Sequence, residues 1–462
     1  MWLIILLFLS IVFIIVSTSI LKWHPFLSLI TVAFGFGIIS GTMPLNEVVK
    51  AVNTGFGSTI GYIGIVILAG SVIGKFLEKS GGAYQLANGA LKLVGVKNMP
   101  FAMSIVGYIV SISVFCDSAF IVLSPLSKSL SRTTKISLAV LVMALSLGLY
   151  VTHSLIPPTP GPVAAAGILG ADLGLVILLG FPVSLIGLIT GWLFSLKIAS
   201  KYKIESSSTY TEPSARQPIV KESSAEEQIT DIKNKNRPSL FKSLLPIFVP
   251  ILLILMQSIS ELPSNFFGEG ILPVIISFAG QPSVALMIGV GLSFLLPFKL
   301  DKEMLSTSGW LGQGVIAAAG IIIVTGCGGA FGSVLQESGI AEVVRDNLAG
   351  ARSLGILLPV IITASLKTAL GSGTVAIITS ASLIAPLMHS LGLDASMAKA
   401  LVVVAIGSGA MIASHANDSY FWVVTQMSGM TVNQGYRLQT TGTFIVGLCS
   451  AIAVWLLSLW VL

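Results

Sequence analysis

Long apolar runs recur along this chain of 462 residues, and they constrain its fold more than any other feature. Runs of about 20 apolar residues, such as Trp2–Leu21, Leu173–Ala199 and Tyr436–Leu462, are long enough to cross a bilayer as α-helices. Charged residues make up 10% of the chain, whereas a soluble domain carries about 25%. The sequence therefore predicts an all-α polytopic membrane protein held in a lipid bilayer. No basic residue precedes the first run and no cleavage site follows it, so we expect a retained helix.

A polar interruption divides the chain into two apolar halves. Residues 201–239 are rich in Ser, Glu and Lys and have almost no apolar content, so they cannot form a core. The predicted organisation is an N-terminal transmembrane helix at 1–24, a first repeat at 25–199, a cytoplasmic polar linker at 200–240, a connecting transmembrane helix and short helix at 241–280, and a second repeat at 281–462.

The two halves resemble each other in sequence. FLEKSGG, which begins at Phe76, follows a glycine-rich span, and VLQESGI, which begins at Val334, does the same in the second half. Further along, His153 and His415 each open a polar break at a similar separation from these motifs. These similarities predict an internal duplication; the alternative is that glycine-rich membrane helices simply look alike.

The distribution of charge predicts that the two repeats are inverted. Basic residues dominate near the first pair of short apolar arms, at Lys79, Lys92, Lys97, Lys128, Arg132 and Lys135. Acidic residues are mixed in near the second pair, at Glu337, Glu342, Asp346 and Asp394. Because cytoplasmic loops carry an excess of Lys and Arg, the first group is predicted inside and the second outside. The result is about ten full crossings plus two re-entrant hairpins, with both termini outside and the linker in the cytoplasm, a pattern typical of secondary transporters.

Each predicted repeat contains a re-entrant helical hairpin and a broken transmembrane helix. The hairpins span 100–130 and 354–391, with small polar residues at their tips, FCDS at 115–118 and GSGT at 371–374. The broken helices span 136–172 and 398–430, and they are interrupted by HSLIPPTPGP and SHANDS. Proline removes a backbone donor, and broken backbone at membrane depth persists only where protein or a water-filled cavity satisfies it. The breaks are therefore either buried kinks or a binding site, and their occurrence in both halves favours the site.

Four helix starts are predicted to converge near the middle of the membrane, at the two tips and the two breaks. Small polar residues there are typical N-caps, and Thr159-Pro160 is a cap followed by a proline at the first helical position. The free N–H groups and positive dipole ends of such half-helices favour an anion, and a carboxylate fits. Side chains that could contact substrate hydroxyls are Ser118, Thr159, Ser372, Thr374, Asn417 and Ser419.

Five ionisable residues in these segments are candidates for proton coupling: Asp117, Asp418, His153, His415 and Lys367. For the two aspartates the alternative is a helix cap. Histidine is the side chain whose ordinary pKa lies nearest neutral pH, which makes both histidines candidates, but each could equally be a hydrogen-bonded spacer at a helix break. Lys367 lies four residues before the second tip, where it would neutralise a bound carboxylate or serve as the structural partner of an acid.

Signatures of other protein classes are missing from the sequence. We find no G-x-S-x-G, no H-E-x-x-H, no P-loop and no dinucleotide fingerprint. The cysteines (Cys116, Cys327 and Cys449) have no spacing typical of a disulfide or metal site, and the basic residues are spread through loops rather than grouped for nucleic acid. The sequence therefore predicts no enzyme, no metal and no cofactor, and it leaves an ion gradient as the source of energy.

Several long motifs resemble the gluconate permease family within the larger ion transporter superfamily: HSLIPPTPGPVAAAGILGADLG, FCDSAFIVLSPL, GSGTVAIITSASLIAPL and SHANDSYFW. The resemblance covers nearly the whole chain outside the linker. It implies a bacterial inner-membrane symporter, usually proton-coupled, for sugar acids such as gluconate, and it makes a homodimer plausible. By position, it implies a substrate region at Asp117, Ser118, Thr159, Gly161, Ser372, Gly373, Thr374, His415, Asn417 and Asp418.

Other functions stay open at this point. Some relatives within the resemblance carry D-serine or another small hydroxy acid, and a sodium-coupled carboxylate transporter is a third candidate. A membrane-embedded enzyme that uses His and Asp at the break is a candidate from a different class. A channel fits less well, because two occluding hairpin tips suit a gated carrier better.

Overall fold

The chain is built from α-helices, and its computed structural model describes residues 2–94, 98–204, 237–260, 270–340, 343, 355–415 and 418–462. The helices before the linker are α1 (Trp2–Ile15), α2 (Pro25–Ser40), α3 (Leu45–Lys79), α4 (Gly82–Val94), α5 (Met99–Val110), α6 (Cys116–Thr134), α7 (Leu138–Leu155), α8 (Pro160–Leu169) and α9 (Leu173–Lys197). Those after it are α10 (Leu240–Ser260), α11 (Ile271–Gly280), α12 (Pro282–Ser293), α13 (Trp310–Glu337), α14 (Leu357–Leu370), α15 (Gly373–Ile384), α16 (Met388–Leu391), α17 (Ser396–Ala410), α18 (Ser419–Ser428), α19 (Val432–Gly435) and α20 (Thr441–Val461). The described residues contain no strand. Most of the predicted linker, residues 205–236, lies outside them.

The apolar helices confirm a polytopic membrane protein. Within the described ranges, six helices are long and apolar enough to cross a bilayer, and up to eight are if each of two bent pairs counts as one span. One of these pairs joins α11, whose 10 residues are too few to cross alone, to α12 across a bend of 73°. The predicted ten crossings plus two hairpins are a finer count, which stays a prediction.

The chain leaves its helices at the four places where the sequence predicts tips and breaks. Residues 111–115 separate α5 from α6, and residues 371–372 separate α14 from α15. Residues 156–159 interrupt the first predicted broken helix, and in the second α17 ends at Ala410 and α18 begins at Ser419. Gly371 has a φ of +78°, a left-handed conformation that glycine adopts without steric penalty and that ends α14.

The two halves use the same set of helix contacts. α5 packs on α7 and α14 packs on α17, while α7 contacts α9 and α17 contacts α20. Across the halves, α6 contacts α18 and α15 contacts α8, just as α2 contacts α13 and α12 contacts α3. This correspondence is what an internal repeat predicts. The opposite orientation of the two repeats in the membrane stays a prediction.

Glycine allows the hairpins to lie directly against the broken helices. A Cβ atom on Gly148 of α7 would lie 2.3 Å from the carbonyl oxygen of Ser104 on α5. In the second half, a Cβ atom on Gly409 of α17 would lie 2.5 Å from the carbonyl oxygen of Val360 on α14. Both approaches are to backbone, which cannot rotate away, so only glycine fits.

We expect Gly148→Val to destabilise the protein by about 1–3 kcal/mol or more, because the added atoms would force α5 away from α7. The matched control is Gly320→Val on α13, where a Cβ atom would meet nothing within 4 Å. The measurement is the apparent melting temperature of each purified variant in detergent. Equal melting temperatures for the two variants would contradict this account of the contact.

Candidate functional site

The four helix starts surround one small cavity of about 60 Å³. Its walls come from the starts of α6, α8, α15 and α18 and from the end of α7. Sequence-predicted residues that line it are Asp117, His153, Gly161, Ser372, Gly373, Thr374 and Asp418. Ser419, which the sequence analysis expected to contact substrate hydroxyls, also lines it. Its lining residues that were not predicted are Cys116, Tyr150, Ser154, Ile377 and Tyr420.

Two of the helix starts are capped by predicted side chains. The Ser372 hydroxyl accepts a hydrogen bond from the backbone N–H of Val375 at 3.4 Å. The Asp418 carboxylate accepts one from the N–H of Tyr420 at 3.1 Å. Each cap fixes the direction of a half-helix whose first turn borders the cavity.

The other two helix starts have no side-chain capping hydrogen bond. The predicted polar N-cap of α6 was wrong, whereas Thr159 holds the predicted N-cap position of α8 without making the capping bond. α6 begins at Cys116, which places Asp117 in the first turn rather than at the N-cap. Thr159 does occupy the N-cap of α8, but its hydroxyl donates to the carbonyl of Ile156 at 2.5 Å instead of accepting from the helix. The first N–H groups of a helix have no intrahelical acceptor, so the uncapped start of α6 suits an anion. At the start of α8, Gly161 alone among the first three residues has an N–H group, because Pro160 and Pro162 have none.

A buried ion pair ties the second hairpin to the second break. The Lys367 ammonium lies 2.6 Å from Oδ2 of Asp418, and their side chains are 0% and 6% exposed. The same ammonium donates to the carbonyl of Gly371 at the hairpin tip, at 2.8 Å. The Ser414 hydroxyl donates to Oδ2 of Asp418 at 2.5 Å. Of the two interpretations of Lys367, the structure therefore places it as the partner of an acid, behind the cavity wall.

Two polar atoms at the cavity are buried without a partner. Oδ1 of Asp117 and Nδ1 of His153 form no hydrogen bond with any residue that the structure describes. Buried polar atoms in folded proteins are nearly always satisfied, so such exceptions need an explanation. Both groups border the cavity, and a bound substrate, a proton or water would satisfy them.

Stacked tyrosines form one wall of the cavity. The rings of Tyr150 and Tyr420 lie 5.2 Å apart and within 9° of parallel. The Tyr150 hydroxyl donates to the carbonyl of Ala410 at 3.3 Å, and that of Tyr420 donates to the carbonyl of Ser146 at 2.9 Å. These bonds hold α7, α17 and α18 together around the site. Tyrosine beside both polar breaks is the signal that would have identified this wall from the sequence.

The remaining predicted residues lie elsewhere. Thr159 lines a second void of about 10 Å³ that also contacts His153, and Ser118 lies half-buried outside the lining of the cavity. His415 is partly exposed, and its Nε2 lies 3.0 Å from the carbonyl oxygen of Thr368 near the end of α14, away from the cavity. Asn417 lies outside the described residues.

The chemistry of this cavity fits reversible binding. A neutralised aspartate, an unpaired aspartate, hydroxyl groups and helix N-termini can hold a small acid and a proton. Within the described ranges, no group of three or more His, Cys, Asp or Glu side chains could hold a metal ion.

Comparisons with known proteins agree over nearly the whole chain. A family model described as GntP family permease matches residues 1–460. The D-serine transporter DsdX of Escherichia coli (strain K12) is 32% identical over 462 residues, covering 99% of this chain and 98% of that protein. The gluconate permease of Zymomonas mobilis subsp. mobilis is 33% identical over 450 residues, covering 95% and 94%.

A similar fold is found among solved structures. The Alcanivorax borkumensis YdaH transporter, whose crystal structure is described as having an unusual topology, matches with a TM-score of 0.65. The match covers 95% of this chain and 99% of that chain at 14% sequence identity, so the similarity concerns the fold alone.

Proposed function

The chain belongs to the GntP family of permeases and is a multi-pass bacterial inner-membrane transporter of small acids, and from this premise we propose that it imports gluconate or a related sugar acid by proton symport. The observation that carries this proposal is the unpaired Oδ1 of Asp117 in the cavity bounded by four helix starts. A carboxyl group there can take up and release a proton in contact with the bound acid. The protein is a permease rather than an enzyme, as its family implies.

The substrate carboxylate is expected to bind at the uncapped starts of α6 and α8. The first turn of α6 has N–H groups on Cys116, Asp117 and Ser118, whereas that of α8 has one on Gly161 alone, because Pro160 and Pro162 carry none. The helix dipoles favour negative charge at both starts. The hydroxyls of Ser372 and Thr374 and the backbone of Gly161 supply polar contacts for the hydroxylated part of the substrate. A Cβ atom on Gly161 would lie 2.9 Å from Cδ1 of Ile377, which also lines the cavity. Glycine at this position therefore allows α8 to lie close to α15.

The size of the cavity supports alternating access. About 60 Å³ holds roughly two water molecules, which is less than a sugar acid needs. The hairpin tips and helix breaks must therefore separate to admit substrate. A site that must open to take up substrate suits a carrier that exposes one site to each side of the membrane in turn.

We expect gluconate to raise the apparent melting temperature of the purified protein, because a ligand that binds only the folded state stabilises it. At 100 times its dissociation constant the gain is about 2.7 kcal/mol. The panel includes D-serine as the alternative substrate and sorbitol as a matched polyol without a carboxylate. Stabilisation by D-serine without gluconate would move the proposal to the small amino and hydroxy acids, and no stabilisation by any acid would end it.

Sodium is the alternative coupling ion. Replacing sodium by choline at fixed pH is expected to leave uptake of labelled gluconate unchanged if protons drive it. Loss of uptake in choline would replace proton symport by sodium symport while keeping the substrate.

The proposed topology places the linker in the cytoplasm and both termini outside, as the positive-inside rule predicts. Large apolar side chains on the outer faces of α1, α11 and α20 support contact with lipid: Trp2, Phe8, Ile271, Phe278 and Trp460.

We also propose that the protein forms a homodimer, as the family resemblance implies. Cross-linking in native membranes tests it.

A further inference from the structure

Lys367 is a fully buried cation whose ammonium group already has partners within the protein. Its ammonium contacts Oδ2 of Asp418 and the carbonyl of Gly371, at 2.6 and 2.8 Å. Asp418 in turn accepts hydrogen bonds from the Ser414 hydroxyl and the Tyr420 N–H. An ion pair that is hydrogen-bonded on both partners is the arrangement in which a buried charge is tolerated.

This pairing leaves a simple charge balance at the cavity. The Lys367–Asp418 pair is neutral as a unit, and Asp117 adds one negative charge whenever it is ionised. A substrate monoanion bound among the residues that line this cavity would then meet an uncompensated carboxylate. Two negative charges that face each other within one small cavity repel strongly where water is excluded. Protonation of Asp117 removes this repulsion.

The pair is not required to build a hairpin of this kind. Lys367 is the fourth residue from the end of α14, and Gly107 holds the same place in α5. Asp418 is the N-cap of α18, and Thr159 is the N-cap of α8. The first hairpin therefore folds with neutral residues at both equivalent positions.

The Asp117 carboxyl also occurs in one of the two hairpins and not in the other. Asp117 is the second residue of α6, and the neutral Thr374 is the second residue of α15. The two hairpins pack similarly but carry charged residues at different positions. This difference indicates that the charged residues control the net charge at the cavity.

We infer that Lys367 determines the charge specificity of the site. It forms an ion pair with Asp418 that has no net charge, so one substrate monoanion enters together with one proton on Asp117. This role rests on the proton symport proposed above. Transport of a monocarboxylate is then electroneutral. A zwitterion such as D-serine would carry one net positive charge through the same site, and dianions are excluded because a single proton cannot balance them.

Titratable groups on several helices face this pair and Asp117. They are Cys116 on α6, Tyr150 and His153 on α7, and Tyr420 on α18. Of these, His153 is the one whose ordinary titration range overlaps a working pH near neutral. His153→Gln is therefore included in the test as the competing proton carrier.

The test is the pH dependence of gluconate affinity for the purified full-length protein. Where Asp117 has lost its proton, the wild-type dissociation constant is expected to rise about tenfold per pH unit, which corresponds to one linked proton. In Lys367→Met, Asp418 must also be protonated, so at pH values where both carboxyls are ionised in the free protein the slope steepens toward about a hundredfold per unit, and the comparison with the wild type is made there. The double variant Lys367→Met/Asp418→Asn restores the charge balance, and the slope returns to about tenfold with binding retained.

The outcomes separate this role from the proposed function. A tenfold slope in a folded Lys367→Met variant overturns the role of Lys367 and leaves proton symport standing. Loss of binding in the double variant also overturns it, because Lys367 would then pair with the substrate directly. A wild-type affinity without pH dependence overturns the symport itself, and a flat slope in His153→Gln assigns the proton to His153 instead of Asp117. Where Lys367→Met is not recovered folded, Lys367→Gln carries the same test, because its amide can still donate hydrogen bonds.

Electroneutrality gives a second measurement. In liposomes with potassium and valinomycin, changing the membrane potential from zero to about −100 mV should leave the initial rate of gluconate uptake unchanged. The same potential, negative inside, should increase D-serine uptake if D-serine is carried. A several-fold dependence of gluconate uptake on potential would overturn the balance of one proton per monoanion.

Discussion

Replacing Asp117 by asparagine is expected to abolish uphill uptake of gluconate while leaving its binding intact. Oδ1 of Asp117 is buried at the cavity and has no partner in the described part of the chain. Asparagine has nearly the same shape and resembles the protonated carboxyl, but it cannot release a proton. With a pH gradient of about two units, one proton per substrate supports about 100-fold accumulation, and the variant should reach only equilibrium.

The measurement uses proteoliposomes with an imposed pH gradient. Asp117→Asn should fail to accumulate labelled gluconate but should still exchange it in counterflow, and the exchange should no longer depend on pH. The control is Asp394→Asn, which removes an exposed carboxylate that pairs with His389 away from the cavity. Wild-type accumulation by Asp117→Asn would remove this residue from the coupling mechanism.

Replacing Asp418 by alanine is expected to cause the largest loss of stability among the single substitutions at the site. The change leaves the Lys367 ammonium buried without its counter-ion and removes the cap of α18. Breaking a buried ion pair in this way costs about 3–5 kcal/mol, to which the lost cap adds about 1 kcal/mol. Asp117→Ala removes no comparable partner and should cost much less.

A double-mutant comparison separates the two contributions. Replacing a buried ion pair by apolar groups of similar volume is often close to neutral, so Lys367→Met/Asp418→Leu should recover most of the stability lost in Asp418→Ala. The free energy of unfolding in detergent is measured for each variant. A double variant as unstable as Asp418→Ala would mean that the cap and the Ser414 hydrogen bond, rather than the ion pair, hold the second break.

The interruptions of the helices were predictable because they depend on local chemistry. Four prolines within residues 157–162 cannot continue a helix, and Gly371 can end one in a left-handed conformation. The Ser372 and Asp418 caps follow from the preference of short polar side chains for helix starts. These signals act over a few residues and do not require knowledge of the fold.

The partners of individual polar groups were not predictable in the same way. His415 and Lys367 had similar standing in the sequence, yet one contacts a backbone carbonyl near the surface while the other is buried against Asp418. Thr159 was expected to cap a helix, but its hydroxyl bonds back to Ile156. Which acceptor a side chain meets depends on how helices from both halves pack, and no local pattern records this.

The sequence by itself determined that this chain is an all-α polytopic membrane transporter with four polar interruptions, because apolar length and helix-breaking residues are local properties. Only the tertiary structure decided that these interruptions meet at one cavity. It brought α8 against α15 and α6 against α18, it stacked Tyr150 on Tyr420, and it paired Lys367 with Asp418. The physical reason is that charge compensation in a dry interior depends on distance in space. Of the two predicted aspartates, packing paired Asp418 with Lys367 and left Oδ1 of Asp117 without a partner in the part of the chain that the structure describes.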